Sequence, residues 1–460
     1  MKKYLYLLAA ALLLSVGTLA AGHLRVNGAR EKMDIRETVL AGDPAAAAGL
    51  SVTCHTRDWD GHLLWDTAFT PGGAEQAETV FRLSGAGEEE PFRWSDSVQL
   101  EQTSDSFNMR GRNFNLDDQS NPYYLMRPVR DVASRTAAGE ARTETVRLAD
   151  YYESYPIALN TASRKYPNSS IDVYSGESAW LGEYFKVKVD ETLVRVVAVE
   201  KDGAGQVVSI SMDIGQKDTN CGGSLVGRGV ITEQGIFLIA ESVDVSGNPD
   251  GRLTCRDGPG VHLIRYRKDR EDESFESYVD LFEPRLFYPT GDGRALELAV
   301  SPDESELLLY TQEDGKLVLT VLDPATGEVL QRLDLLEQAV GNWGISVIEG
   351  DGLYLAVTEL DRFSLVSRES GRYEQVLTGT LDMEGEEQSV FGYDPALAWD
   401  GERMAVATAG RYTDADIRAA VWDESGLCFL GAYRCGLARD PCLLSYPYAR
   451  MPLSLAFAGR

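Results

Sequence analysis

Two imidazoles and two carboxylates crowd one short stretch of the chain. HTRDWDGH brings His55, Asp58, Asp60 and His62 within eight residues, side chains of the types that hold a transition metal. Their spacing works against a four-ligand site. If Asp60-Gly61 makes a two-residue hairpin turn, His62 pairs near Trp59 rather than opposite His55, and the ligands splay. An ordinary hairpin is the better reading, and the four residues stand as weak metal candidates. Calcium meets a similar obstacle at Asp244, Ser246, Asn248 and Asp250, oxygen donors at alternate positions. Pro249 occupies the sixth place, where an EF-hand loop needs Gly, and no Glu stands at the twelfth. A turn-rich loop is favoured there, so no cofactor is predicted and calcium remains a weak candidate.

Nucleophilic chemistry finds less support. No G-x-S-x-G occurs, and CGGSLVG sets its last glycine one place too late. With 72 acidic residues some carboxylate pair at a glycosidase separation is always available, so such pairs discriminate nothing. A different candidate is aromatic. Tyr123 and Tyr124 in NPYYLMRPVR, with Tyr151, Tyr152 and Tyr155 in LADYYESYPIAL, are candidates to line a carbohydrate- or peptide-binding surface. Packing between sheets is the commoner fate of such rings, and is expected for Trp65, Trp343, Trp399 and Trp422.

The elements that position these residues are strands. Beyond Leu50 the hydrophobic period is almost wholly two, in segments such as HLLWDTAF, LVRVVAVE, GIFLIAE and VHLIRYR. Asp-Gly turns punctuate them at Asp60, Asp202, Asp250, Asp314, Asp351 and Asp400. No sustained helical period follows residue 50, and an all-β chain is expected. The stretch LVLTVLDPATGEVLQRLDL is a hairpin signal, and with LELAVSPDESELLLYTQEDGK before it offers four short strands in order. Two further sets follow, WGISVIEGDGLYLAVTELDRFSLVSRESGRYEQVLTG and PALAWDGERMAVATAGRYTDADIRAAVWDESGLCFLGAYR. Turns ending on Gly327, Gly371 and Gly426 recur in them, with a pitch of roughly 50 residues, as in propeller blades. The closing PLSLAFAGR matches the innermost strand of such a unit, and the segments from Leu50 onward supply its missing strands. The expected fold is therefore a β-propeller of about seven blades, six to eight being compatible, closed by pairing N- and C-terminal strands.

The three C-terminal units resemble degenerate blades of the WD40/YVTN-like and quinoprotein-like propeller superfamily, notably in AVSPDES followed by DPATGEV. The wider chain is similar to membrane-anchored, propeller-like proteins of Gram-positive anaerobic bacteria. GDPAAAAGLSV, HLLWDTAFTPG, DVASRTAAGEARTETVRLADYYESYP and YRCGLARDPC carry that likeness. It implies a fold and a tether and no particular activity. The blades lack the Gly-His…Trp-Asp pair of WD40 repeats, and Trp422-Asp423 is a single occurrence.

Location follows from the N-terminus. Lys2 and Lys3 precede an apolar run from Tyr4 to Ala21, so residues 1–22 read as a signal peptide or transmembrane anchor. The positive-inside rule then puts the rest outside the cytoplasm, membrane-attached through this helix only, or secreted after cleavage. Residues 23–50 read as a linker with a short helix near 30–40, and residues 51–460 as the propeller. A formal charge of −28 repels phosphate backbones and disfavours a nucleic-acid partner. Six cysteines suit an oxidising exterior. Local spacing favours Cys435 with Cys442 and Cys221 with Cys255, leaving Cys54 and Cys428 to tie the first segment to the last blade. The functional expectation is a non-enzymatic binding module for a protein or cell-envelope ligand. The alternative is an exported enzyme acting on polysaccharide or a small molecule in the central channel.

Overall fold

A computed structural model describes residues 6, 11–22, 24, 35–57, 63–74, 77–83, 97–111, 114–116, 123–162, 171–174, 179–214, 224–265, 283–337, 344–358, 362–369, 371–380, 395–409, 417–435 and 453–458. Antiparallel strands dominate these residues. The chain divides into two compact units, one formed by residues 1–93, 348–357 and 361–460, the other by residues 94–347 and 358–360.

The expected repeat is present as sheets of four strands in chain order. One holds Arg294–Val300, Leu307–Glu313, Lys316–Leu322 and Val329–Leu336; the next holds Ile345–Gly350, Leu353–Thr358, Arg362–Glu369 and Arg372–Thr380. A third holds Ala396–Trp399, Met404–Ala409, Ile417–Asp423 and Gly426–Cys435. Turn chemistry explains the local geometry. Asp314 (φ 47°) and Gly315 (φ 82°) supply the two positive φ angles of a type I′ hairpin. At the next turn Asp323 Oδ1 accepts from the backbone N–H groups of Ala325 and Thr326, and Gly327 takes φ 78°.

The middle strands of the third sheet are buried on both faces. Met404, Val406, Ala420 and Trp422 pack against Leu355, Phe363 and Leu365 of the sheet before it. The intervening Ala405, Ala407, Ala419 and Val421 pack against Leu50, Val52, Cys54 and Phe69. A strand covered on both sides loses polar alternation, which is why MAVATA and IRAAVW read as continuous apolar runs. The small alanines let the backbone of the next sheet approach closely on that side.

That next sheet joins the chain ends. Its order is Leu453–Phe457, Leu50–Arg57, Leu63–Phe69 and Glu78–Leu83, with Leu50 opposite Phe457 and Cys54 opposite Leu453. The expected pairing of N- and C-terminal strands is thus present in register.

Three expectations need correction. Ile35–Gly42, read as linker or short helix, is a strand on the outer edge of the third sheet, with Glu37 opposite Tyr433. Its alternating IRETVLAG fits the free edge of Gly426–Cys435, and the Tyr433 hydroxyl donates to Glu37 at 3.0 Å. Helices also occur after residue 50, at Met126–Ser134 (α1) and Ala179–Tyr184 (α2). In α1 the buried Met126, Val129, Val132 and Ala133 form one helical stripe, while Pro128 lies in the first turn, where its missing N–H costs nothing. Finally, among the described residues of the 94–347 unit, the strands outside the Arg294–Leu336 sheet are not grouped as successive fours in chain order. The unit contains a seven-stranded sheet running from Arg285–Pro289 to Ile171–Tyr174, a four-stranded sheet, and a two-stranded ribbon. Residues 11–22 are helical and exposed, and no helix among the described residues is long and apolar enough to cross a membrane.

Candidate functional site

The tyrosines offered as a candidate surface mostly take the commoner fate of such rings and pack inside. Tyr152 and Tyr155 are buried beside α1, Tyr124 and Tyr151 are half-buried, and only Tyr123 is exposed. Their hydroxyls work as internal ties. Tyr152 Oη accepts from the N–H of Arg127 at 3.0 Å, and Tyr151 donates to Asp131 at 2.6 Å. Tyr155 donates to Asp105 at 3.1 Å, and Asp105 also pairs with the wholly buried Arg195 at 2.8 Å. Burial pushes the Tyr155 phenol well above its ordinary range. An aromatic ring with a polar tip satisfies a core as readily as a ligand, and here it satisfies the core. Trp422 also lies in core, against Phe363, while Trp343 and the Trp65 side chain lie outside the described residues.

The cysteine expectation changes as well. Cys54 and Cys428 are not bridged: Cys54 points into the core from the Leu50–Arg57 strand, and the Cys428 thiol donates to the Gly426 carbonyl of its own turn. Cys255 is a thiol pushed up to about 12 by burial. Cys221, Cys442 and the Cys435 side chain lie outside the described residues. So do Asp58, Asp60 and His62. No group of three potential metal ligands occurs among the described residues. At the calcium candidate, Asp244 Oδ1 accepts from the N–H groups of Ser246 and Asn248, while Asp250 accepts from Arg252 at 2.6 Å. These oxygens close the loop upon itself.

Two polar constellations escaped the sequence. The first is a cleft in the 94–347 unit, beside Arg294–Val300, the edge strand of its four-stranded sheet. Val226, Ile239 and Leu296 give it apolar walls, and two ion pairs give it charge. Arg294 grips Glu241 through Nε and Nη2, both at 2.7 Å, and Arg228 Nη1 reaches Glu297 at 2.6 Å and the Ile345 carbonyl at 3.0 Å. Burial pushes the Glu297 carboxyl above its ordinary range, and the Arg228 guanidinium opposes that shift. A raised carboxyl beside a guanidinium stays tuned to its partner, so the cleft presents matched charges of both signs. Spacing along the chain gave no hint of it, because Arg228 and Glu241 come from one hairpin and Arg294 and Glu297 from a single strand much further along the chain.

The second lies on the terminal sheet. His55, the one described member of HTRDWDGH among the metal candidates, has Asp66 directly opposite in the register and contacts Asp66 Oδ1 through Nδ1 at 2.7 Å. Its Nε2 meets the Ser454 hydroxyl. Asp66 was visible within HLLWDTAF and Ser454 within PLSLAFAGR, yet only the strand pairing makes them neighbours of His55. A third histidine, His262, is buried; its Nδ1 and the Tyr184 hydroxyl lie 3.0 Å apart, and Tyr184 donates to Asp257 at 3.1 Å. Burial lowers the His262 pKa to about 4, so it is a neutral structural tie at pH 7.

No family model matches the chain, and no curated protein matches it. Among solved structures it is similar to a candidate 6-phosphogluconolactonase from Bacteroides fragilis, at 11% identity and a TM-score of 0.28, over 84% of this chain and 95% of that one. It is similar to the β-propeller domain of Cps50 (Swd1) from Myceliophteria thermophila, at 11% identity and a TM-score of 0.23, over 64% and 86%. A third is the periplasmic gluconolactonase PpgL of Pseudomonas aeruginosa, at 15% identity and a TM-score of 0.21, over 63% and 82%. Likenesses this loose carry no activity across to the chain.

Proposed function

We propose that the chain is an extracytoplasmic β-propeller, tethered by its apolar N-terminal helix or released by cleavage there, that works as a binding module through a cleft that itself performs no chemistry. In this reading about seven blades close into a ring through the sheet that unites the chain ends. Support for the ring comes from the repeated four-strand order, from middle strands buried on both faces, and from Leu453–Phe457 standing where an innermost strand would stand.

The observation that carries the binding role is the cleft lined by Arg228, Glu241 and Arg294, with Glu297 paired to Arg228. Each carboxylate there is already matched by a guanidinium, an arrangement suited to exchanging partners with a charged ligand rather than to shuttling protons. Apolar walls around matched charges fit a segment of a protein or envelope polymer that presents both an acidic and a basic group. The test is affinity capture from the native envelope with the wild type and with the Arg294→Ala, Glu241→Ala double variant, which removes the pair without leaving a lone charge. A partner enriched by the wild type and lost by the variant is expected. Equal capture by both would move the ligand to another surface.

A further inference from the structure

We propose that the terminal sheet carries an acyl-transfer site in which Ser454 is the nucleophile, His55 the general base, and Asp66 the residue that orients the imidazole. The assignment is independent of the cleft. It begins with strand alternation. Leu50, Val52 and Cys54 point into the core, so Ser51, Thr53 and His55 share the other face. The register sets Asp66 opposite His55, and both Ser454 and Ala68 opposite Thr53. An imidazole spans the diagonal from His55 to Ser454, a reach that long side chains cover on a sheet.

Hydrogen-bond logic fixes the roles. Carboxylate Asp66 accepts only, so Nδ1 of a neutral His55 carries the proton and donates at 2.7 Å. Nε2 is then left with a lone pair, and the partner it meets is the Ser454 hydroxyl. That is the tautomer and order a serine nucleophile needs. The three residues are reachable: Ser454 is exposed, and the His55 and Asp66 side chains keep 22% and 30% of their accessible surface. Small neighbours on the same face, Thr53, Ala68 and Ala456, leave the approach to Ser454 open.

The substrate class this face takes is a carboxylic ester with a small acyl group or one displayed at a chain end. The Ser454 oxygen bonds to the carbonyl carbon while Nε2 takes its proton. The ester C–O bond then breaks, and the departing alkoxide leaves as an alcohol with that proton. Water attacks the acyl-serine, gives a proton to Nε2, and releases the carboxylic acid as Ser454 recovers its hydrogen. The Leu50–Arg57 and Leu63–Phe69 strands that carry His55 and Asp66 are paired on both sides, so their backbone N–H groups are committed to the ladder. Oxyanion stabilisation, worth about 10²–10³ per donor, therefore falls to solvent and to side chains such as Thr53, and turnover is expected to be slow. Covalent capture is the sharper readout.

The full chain is treated with a fluorophosphonate, which phosphonylates an activated serine with loss of fluoride, and the adduct is located by peptide mass spectrometry. p-Nitrophenyl acetate hydrolysis is followed in parallel. Labelling concentrated on Ser454 is expected, abolished in Ser454→Ala and slowed roughly 10²-fold or more in Asp66→Asn and in His55→Gln. Thermal melts show which variants remain folded, and Asp66→Asn serves if His55→Gln does not. An adduct absent from Ser454 in the folded wild type overturns the proposal. So does labelling of Ser454 that a folded Asp66→Asn or His55→Gln variant leaves unchanged, since a merely structural tie would not govern the serine's reactivity.

Discussion

Replacing Arg228 by Met tests the electrostatics of the cleft. The substitution keeps much of the aliphatic stem and deletes the bond to Glu297 at 2.6 Å and the bond to the Ile345 carbonyl at 3.0 Å. Glu297 keeps only 18% of its side-chain surface, so its carboxylate is left in a poorly solvated place without its counterion. Breaking a buried pair from one side costs about 3–5 kcal/mol. Arg228 is itself 37% exposed, so water replaces part of what it supplied, and about 2 kcal/mol is the expected loss. At about 2–4 °C per kcal/mol for a unit of this size, the melting temperature should fall by about 4–8 °C at pH 7.5. The sign with pH is fixed. Burial raises the folded-state pKa of Glu297 above its unfolded value, so ionisation costs the folded state above that pKa and the cost fades as pH falls through it. The deficit of Arg228→Met should therefore shrink at pH 5, and adding Glu297→Gln should restore most of it at pH 7.5. Thermal unfolding followed by far-ultraviolet circular dichroism measures all three. A deficit equal at both pH values, or indifferent to Glu297→Gln, would refute the account.

Three further outcomes are expected. Gly42→Val should release the Ile35–Gly42 strand, because Gly42 has φ 74° and an added Cβ would lie 2.0 Å from the Cys428 carbonyl oxygen; amide exchange in both paired strands should accelerate. Tyr433→Phe should cost about 1 kcal/mol in thermal or denaturant unfolding by removing the hydroxyl that donates to Glu37, with a smaller effect in a Glu37→Gln background. For His262, whose folded pKa of about 4 lies below the ordinary 6.5, the unfolded chain binds the extra proton between those values. Wild-type stability should fall by about 3 kcal/mol from this group as pH drops from 6.5 to 4, and His262→Gln should lose less over that window in pH-dependent melts.

The parts of the fold that were legible are those where one local rule decides. Asp314-Gly315 and Asp323 to Gly327 specify turns by backbone conformation, and alternation specifies strands on either side. The likeness of Leu455-Ala456-Phe457 to Leu397-Ala398-Trp399 was enough to place the last strand beside the first. Competing rules obscured the rest. α1 spans nine residues and contains Pro128, so its stripe of Met126, Val129 and Val132 is too short to rise above a strand-like background. Ile35–Gly42 buries only Ile35, so no apolar face announces it, and what holds it is the open edge of a strand near the other end of the chain. Tyr152 and Tyr155 stayed open between surface and core because composition cannot separate a wet phenol from one paired to an internal partner. Neither polar constellation was legible, for a shared reason: His55 meets Asp66 across a hairpin but Ser454 only across the chain, and Arg228 meets Glu297 between two sheets. Side chains juxtaposed by tertiary register have no spacing that sequence can display.

The same strand pairing that completes the terminal sheet also assembles its polar face. Leu453–Phe457 buries Phe457 on the core side while presenting Ser454 on the other, and a slip of one residue would exchange those two faces. Burial of Phe457 and Leu50 therefore fixes where the Ser454 hydroxyl stands relative to His55. Chemistry on that face depends on docking of the final strand, whereas the Arg228–Glu297 cleft draws its residues from positions 226–344 and needs no residue of that strand. Removing residues 451–460 should thus abolish serine labelling and expose the Leu50 edge, yet leave the cleft's charge pairs and their pH response in place, which separates the two sites by a single truncation.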